Sequence, residues 1–434
     1  MLGTEYAELI QRAQHVLQIN DLGSFTKPAS RQYPHQWNWD SAFIAIGLLH
    51  TDAERARQEI RSLLQGQWQN GMVSHIVFHH PSPGYFPEPG FWQTERCPNA
   101  PADVRTSGIT QPPILATAVR AIHQRAPNAE FLSEVYPSLL AWHRWLFRER
   151  DPLGEGLVCI VHPWESGMDN SPLWVEVLAR ITPTDLPAYR RRDIALVSPD
   201  ERPTDVEYDR YVYLVDLGGR AWWDQGEILA RSPFLVQDVL FNAILHRANE
   251  DLRALAVELG EPTEEIDGWL MAMREAFTRK FWDEGRGLFL DYDVRNRQRI
   301  PENTIATFAP LYAGLAGEGE ARRLVDEHLL NPTEYAPDGG SRYFVPTASK
   351  DGAHWDGRCY LRGPVWVNGN WLVVRGLQRC GYPEVASQIR RQTLELVAAA
   401  GFREYFDPGN GEGCGASNFS WSAALVIDLL MNPG

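Results

Sequence analysis

Two stretches of the chain set carboxylates in surroundings suited to acid–base work. In HPWESGMDNSPLW (162–174), Glu165 and Asp169 stand four residues apart, bounded by Gly167 and Pro172. Trp164 and Trp174 would give Asp169 a dry wall. Taking water from a carboxyl raises its pKa, which a general acid needs near neutral pH. In FREYFDPGNGEGCGASNFSWSAAL (402–425), Glu404 lies between aromatics, just before a Gly-rich turn and a terminal helix. Glu412 competes with it, but glycine neighbours make that residue read as part of an exposed loop. Plainer roles stand beside these: Asp169 as the cap of a helix starting near Pro172, Glu404 as a surface residue on a short strand. Two carboxylates facing each other among aromatics are the arrangement that cleaves a glycosidic bond. The 16 Trp and 15 Tyr fit that use, since each joins a flat apolar face to a polar handle.

The elements that must bring residues 169 and 404 together are helices. Apolar residues recur at helical spacing over 6–19, 40–50, 53–68, 109–125, 129–150, 208–217, 234–259, 263–281, 304–315, 320–330, 363–379, 383–400 and 419–431. Strand signals are short, at 73–78 and 157–162. Gly and Pro punctuate the helices, and no low-complexity linker is long enough to separate domains. The pattern predicts an all-α chain: one domain over 1–434, with six helical hairpins in two concentric rings. A polar stretch rich in Arg, Asp and Pro, about 182–208, reads as an inserted lid-like loop. Trp-rich segments punctuated by Pro or Gly sit just before helices at 32–43, 106–116, 162–174, 360–373 and 418–425. In a ring of hairpins these five segments would line one pit.

Composition removes several classes. A net charge of -15, from 41 Lys+Arg against 56 Asp+Glu, argues against a nucleic-acid partner. No apolar stretch approaches the roughly 20 residues a bilayer requires. Residues 1–20 lack the features of a secretory leader, so the expected compartment is the cytoplasm. The five cysteines are scattered, with no CxxC, and read as buried free thiols. Phosphate-loop, nucleophile-elbow and zinc-protease motifs are missing. Asp407 to Glu412 lacks the ligand spacing of a calcium loop and reads as a surface turn. No cofactor and no metal is called for, and a homodimer is kept open as the assembly.

WESGMDNSP, RGPVW, and EYFDPGNGE followed by FSWSAA resemble glycoside hydrolase family 63, within it the small enzymes that hydrolyse mannosylglycerate and glucosylglycerate. The resemblance runs through NDLGSF (20–25), YPHQWNWD (33–40), GMVSHIVF (71–78), GYFP (84–87), TSGITQPP (106–113), ERPTDVEYDRY (201–211) and QDVLF (237–241). It implies an (α/α)6 barrel and an inverting mechanism without a metal. By motif, Asp169 becomes the general acid and Glu404 the general base. Tyr33, Trp37, Trp39 and Asp40 would hold the sugar, and Tyr85, Gln111, Trp164, Tyr360, Trp366 and Trp421 would complete the wall. Arg202 and Tyr208 match the family's grip on the glycerate carboxylate, for which an Arg fork suits a small anionic glycoside in an acidic protein. The resemblance also implies recovery of a compatible solute.

One position departs from the pattern. The family commonly carries Tyr-Trp before RGPVW, where the Trp helps enclose the glycerate end; this chain has Tyr360-Leu361. The change implies a looser leaving-group pocket. It keeps alive an alternative: a family 63 or trehalase-like α-glucosidase acting on another small α-glucoside, such as glucosylglycerol. Sugar 2-epimerases on a similar helical frame need facing histidines, and the five segments offer only His35 and His162.

Overall fold

NWDSAFIAIGL (38–48) is apolar nearly all round, and such a helix has to be wrapped by others. The computed structural model describes residues 4–195 and 197–433, and it buries every residue of the helix Asn38–Leu48. The helix Ser420–Met431 is its counterpart, buried from Ser420 to Leu430. The two meet at Gly47, where a Cβ would lie 2.4 Å from Cα of Ala424. The packing continues from helix to helix. Asn38–Leu48 contacts Leu115–Arg125, which contacts Val239–Leu259. From there contacts pass through Ala309–Ala313 and Val367–Arg379 to Ser420–Met431, and so back to the start.

Amphipathic helices lean on that cycle. Ala53–Leu64 buries Ala56, Ile60 and Leu63 and leaves Glu54 in solvent. Ala129–Arg150, Glu264–Phe281, Pro383–Ala400 and Thr4–Asn20 pack against its other members in the same way. The chain is thus predominantly helical, as the periodicity predicts, and the strands are short. One antiparallel sheet joins Gln36–Trp37, Ile76–Phe78 and Arg105–Thr106. A hairpin pairs Arg403–Phe406 with Gly413–Ser417.

Several boundaries differ from the sequence reading, each for a local reason. The expected helix over 109–125 begins only at Leu115, because Pro112 and Pro113 hold the preceding segment extended. The stretch 234–259 splits into a strand, Val236–Gln237, and a helix capped by Asp238, whose carboxylate accepts from Phe241 N at 2.5 Å. The lid-like loop does not reach 208. Thr204 and Glu207 form a capping box that starts the helix Asp205–Arg220, so Tyr208 sits on its first turn. Within that loop Leu196 lies outside the described residues, as do Met1–Gly3 and Gly434 of the expected single domain. All five cysteines are free, four of them buried and Cys380 half-buried. Among the described residues no helix is long and apolar enough to cross a membrane.

Candidate active site

Of the two carboxylates in HPWESGMDNSPLW, one is structural. Glu165 is fully buried and meets Arg150 fork to fork, at 2.8 and 2.7 Å. It also accepts from the backbone of Val161 at 2.7 Å and of Thr110 at 3.1 Å. This ties the turn that carries Asp169 to the segment that carries Gln111. Gly167 then lets the chain turn back with φ +69°, and a Cβ there would strike the Trp39 ring at 2.4 Å. The cap of the turn Pro172–Trp174 is Ser171, so Asp169 has no capping duty. The backbone carbonyl of Asp169 accepts from the Tyr211 hydroxyl at 2.7 Å, which fixes the turn from a second side. Trp174 is no wall for Asp169: it packs on Phe234 and donates to Met168 O at 2.7 Å, bracing the turn from behind.

The Asp169 carboxyl is pushed up to about 7. Burial is the main cause; Arg202 opposes it, and the negative charge of Glu404 adds to it.

Glu404 lies on the strand Arg403–Phe406 where the hairpin register shifts between Arg403 and Tyr405. Such irregularities re-aim a side chain. Glu404 is wholly buried, not a surface residue. Its Oε1 accepts from the Tyr33 hydroxyl at 2.7 Å. Its Oε2 accepts from Arg202 at 3.0 Å and from Ala416 N at 2.8 Å. Gly415 makes room, since a Cβ there would lie 2.4 Å from Oε2. Arg202 also donates to the Tyr33 hydroxyl at 3.1 Å and lies 4.4 Å over the Tyr360 ring.

Asp169, Glu404 and the twelve residues expected to hold the substrate line two adjoining chambers. The inner, smaller one is bounded by Trp39, Asp40, Gln111, Trp366, Trp421 and Glu404. The outer one, about 350 Å3, is bounded by Tyr85, Trp164, Arg202 and Tyr208. Tyr33, Trp37, Asp169 and Tyr360 face both chambers. Edge-to-face contacts join the walls: Tyr33 with Trp37 at 5.4 Å, Trp39 with Trp421 at 5.4 Å, Tyr360 with Trp366 at 5.2 Å. Burial, with Glu404 and Asp169 adding to it, drives the Asp40 carboxyl well above its ordinary range.

Three features escape a reading of the sequence. His75 faces both chambers, held neutral by burial, with Nδ1 unpartnered. Nothing in a lone His before an apolar strand marks it. Tyr211 and Asp193 line the outer chamber, one from the helix that follows the lid-like loop and one from the loop itself. Leu361 faces the inner chamber and an apolar void of about 30 Å3 behind it, not the outer chamber. The ring missing at 361 therefore leaves space on the side of the inner chamber. His162 accepts from Trp164 N at 3.0 Å and contacts Tyr211 O, so it is structural. Among the described residues no group of His, Cys, Asp and Glu is arranged to hold a metal ion.

Comparison with known proteins decides the lineage. The model of the mannosylglycerate hydrolase MGH1-like glycoside hydrolase domain matches residues 33–422. This chain belongs to that family. It is a glycosidase of the mannosylglycerate hydrolase subgroup of glycoside hydrolase family 63. A mannosylglycerate hydrolase of Thermus thermophilus is 45% identical over 96% of this chain and 99% of its own. A glucosylglycerate hydrolase of Mycolicibacterium hassiacum is 38% identical over 98% of both chains. The crystal structure of a family 63 mannosylglycerate hydrolase from Thermus thermophilus, with Tris and D-glycerate, superposes with a TM-score of 0.91 at 44% identity. That match covers 96% of this chain and 99% of that one.

Proposed function

We propose that the chain hydrolyses 2-O-α-D-mannosyl- or glucosyl-glycerate with inversion at the anomeric carbon, Asp169 serving as general acid and Glu404 as general base. The observation that carries this is the contrast between two carboxylates on one cavity. Asp169 is held up to about 7 by burial, whereas Glu404 is offered three donors, one of them a guanidinium. A carboxyl whose proton is favoured by burial suits the acid, and one held among three donors suits the base. The names of the two relatives support a glycosyl-glycerate as substrate.

The hydrogen bonds on Glu404 narrow where the attacking water binds. Both lone-pair sites of Oε2 are taken, by Arg202 and Ala416 N, while Tyr33 occupies one of those on Oε1. The water is held by the remaining site of Oε1. It attacks the anomeric carbon and yields its proton to Glu404, while Asp169 gives its proton to the departing glycerate oxygen. An inverting pair stands about 6.5–9.5 Å apart to admit that water. The sugar takes the inner chamber, under Asp40, Gln111 and the Trp39–Trp421–Trp366 wall. The glycerate takes the outer chamber, toward Tyr208 and Arg202, whose Nε is buried without a partner.

The larger frame follows. The cycle of six packed helices forms the inner ring of an (α/α)6 barrel in a single catalytic domain, and the segment 182–204 acts as its lid. Tyr189 of that segment stacks on Phe86 at 5.3 Å, beside the mouth.

A proton NMR time course with 2-O-α-glucosylglycerate, its mannosyl counterpart, glucosylglycerol and trehalose tests this reading. Early β-anomer with free glycerate supports it. Early α-anomer overturns the inverting mechanism, and cleavage of a neutral glucoside alone overturns the substrate.

A further inference from the structure

Arg202 is tied to both reacting carboxylates. Its Nη2 donates to Glu404 Oε2 at 3.0 Å, and its positive charge is what restrains the rise of the Asp169 carboxyl. Catalysis asks the opposite on both counts: Asp169 must keep its proton until the bond breaks, and Glu404 must draw a proton from water. The edge of the guanidinium is not fully used, because Nε is buried with no partner while the residue borders the outer chamber.

We propose that the carboxylate of the leaving group is itself a working part of the catalytic apparatus: it pairs with Arg202 through the unpartnered Nε, cancels the guanidinium charge, and so leaves Asp169 protonated and Glu404 with its full negative charge. The inference rests on Asp169 and Glu404 being acid and base. The groups facing Asp169 are Arg202, Glu404, Asp40 of the helix Asn38–Leu48, Tyr85, Tyr211 of the helix Asp205–Arg220, and Tyr360. His75 beside them is kept neutral by burial. Arg31, Arg192 and Asp193 also line the outer chamber, but Arg202 is the cation whose charge acts on Asp169, so neutralising it moves the potential there in one direction. By linkage, whatever anion binding does for the proton on Asp169, that proton does for anion binding. A neutral aglycone would leave Arg202 on Glu404, and the discrimination would fall on kcat as well as KM.

The test compares the intact protein on a glycosyl-glycerate and on the corresponding glyceramide, which has the same shape without the charge. The amide withdraws electrons at least as strongly, so intrinsic leaving ability does not favour the acid. Values of kcat/KM report the free enzyme and kcat the bound complex. The alkaline limbs of kcat/KM should therefore coincide. The alkaline limb of kcat should lie about one pH unit or more higher for the glycerate, the scale of one nearby charge, with a kcat about tenfold larger above neutral pH. In Arg202→Gln the two kcat limbs should converge. Coincident kcat limbs in the parent protein, with the difference confined to KM, would overturn the proposal and leave Arg202 a binding residue. Cleavage of neither compound would instead bring down the glycerate reading, and the proposal with it.

Discussion

Arg150 and Glu165 meet fork to fork with both side chains sealed from water. A pair like this adds little stability against an apolar replacement, yet removing one partner strands the other charge. Here it also joins the segments bearing Gln111 and Asp169. Glu165→Ala should therefore lower unfolding stability by about 3–5 kcal/mol in a denaturant titration. A loss under about 1 kcal/mol would mean that water reaches the pair.

Asp169→Asn and Glu404→Gln should each cut kcat at least ~100-fold on the glycoside. The two losses should differ in kind. A glycosyl fluoride leaves without a proton, so Asp169→Asn should regain most of its rate on it and Glu404→Gln should not. Equal recovery by both variants would undo the division of roles.

With Asp169 as the proposed acid, its carboxyl at about 7 should set the alkaline limb of activity: the acid works protonated, so kcat/KM should fall as pH rises through that value. The same shift bears on stability. Because the folded-state pKa is raised from 3.8, the native chain keeps a proton that the unfolded chain releases between about pH 4 and 7, and stability declines across that window. At pH 8 Asp169→Asn should be more stable than the parent, by on the order of 1 kcal/mol. Thermal melts at pH 4 and pH 8 measure the difference; a variant no more stable at pH 8 would rule out burial as the source of the shift.

Gly415→Ala should disturb Glu404, the proposed base. The added methyl meets Glu404 Oε2 at 2.4 Å, in a residue with φ +63°, so kcat should fall about tenfold or more while the folded circular dichroism signal persists. An unchanged kcat would show that Glu404 can move aside at no cost.

Tyr33→Phe removes one of the three donors on Glu404 and the acceptor for Arg202 Nη1. If Tyr33 orients Oε1 for water, kcat should drop about 10-fold to 100-fold with a smaller change in KM. A loss seen only in KM would make Tyr33 a sugar contact alone.

Much of this site is legible in the sequence because its walls are built from residue types that mean something in context. Trp37, Trp39, Trp366 and Trp421 stand in aromatic segments before helices, and all come to one cavity. Pairing at a distance is what a sequence does not convey. Glu404 reads as a candidate base, but a surface role stays open beside it because its partners, Tyr33 and Arg202, lie 371 and 202 positions away. Arg202 reads as a hand for the substrate, and its contact with Glu404 has no local signature. Tyr208 reads as the junction of the loop and a helix over 208–217, since a capping box one turn upstream weighs less than the surrounding polarity; the helix begins at Asp205. Leu361 reads as bordering the leaving group; it shares the inner chamber with its neighbour Tyr360, and of the two Tyr360 alone also borders the outer chamber.

Gly47 against Ala424 marks where the first and last helices of the packed cycle meet, and Asn20 donates to Ser420 Oγ at 2.9 Å on the same seam. During synthesis the early helix must wait, with its apolar surface uncovered, until some 370 further residues have left the ribosome. Contacts of such long span slow folding and prolong exposure to aggregation. Glu404, the proposed base, and its hairpin arrive in that same late stretch, so under that assignment activity begins only when the seam shuts.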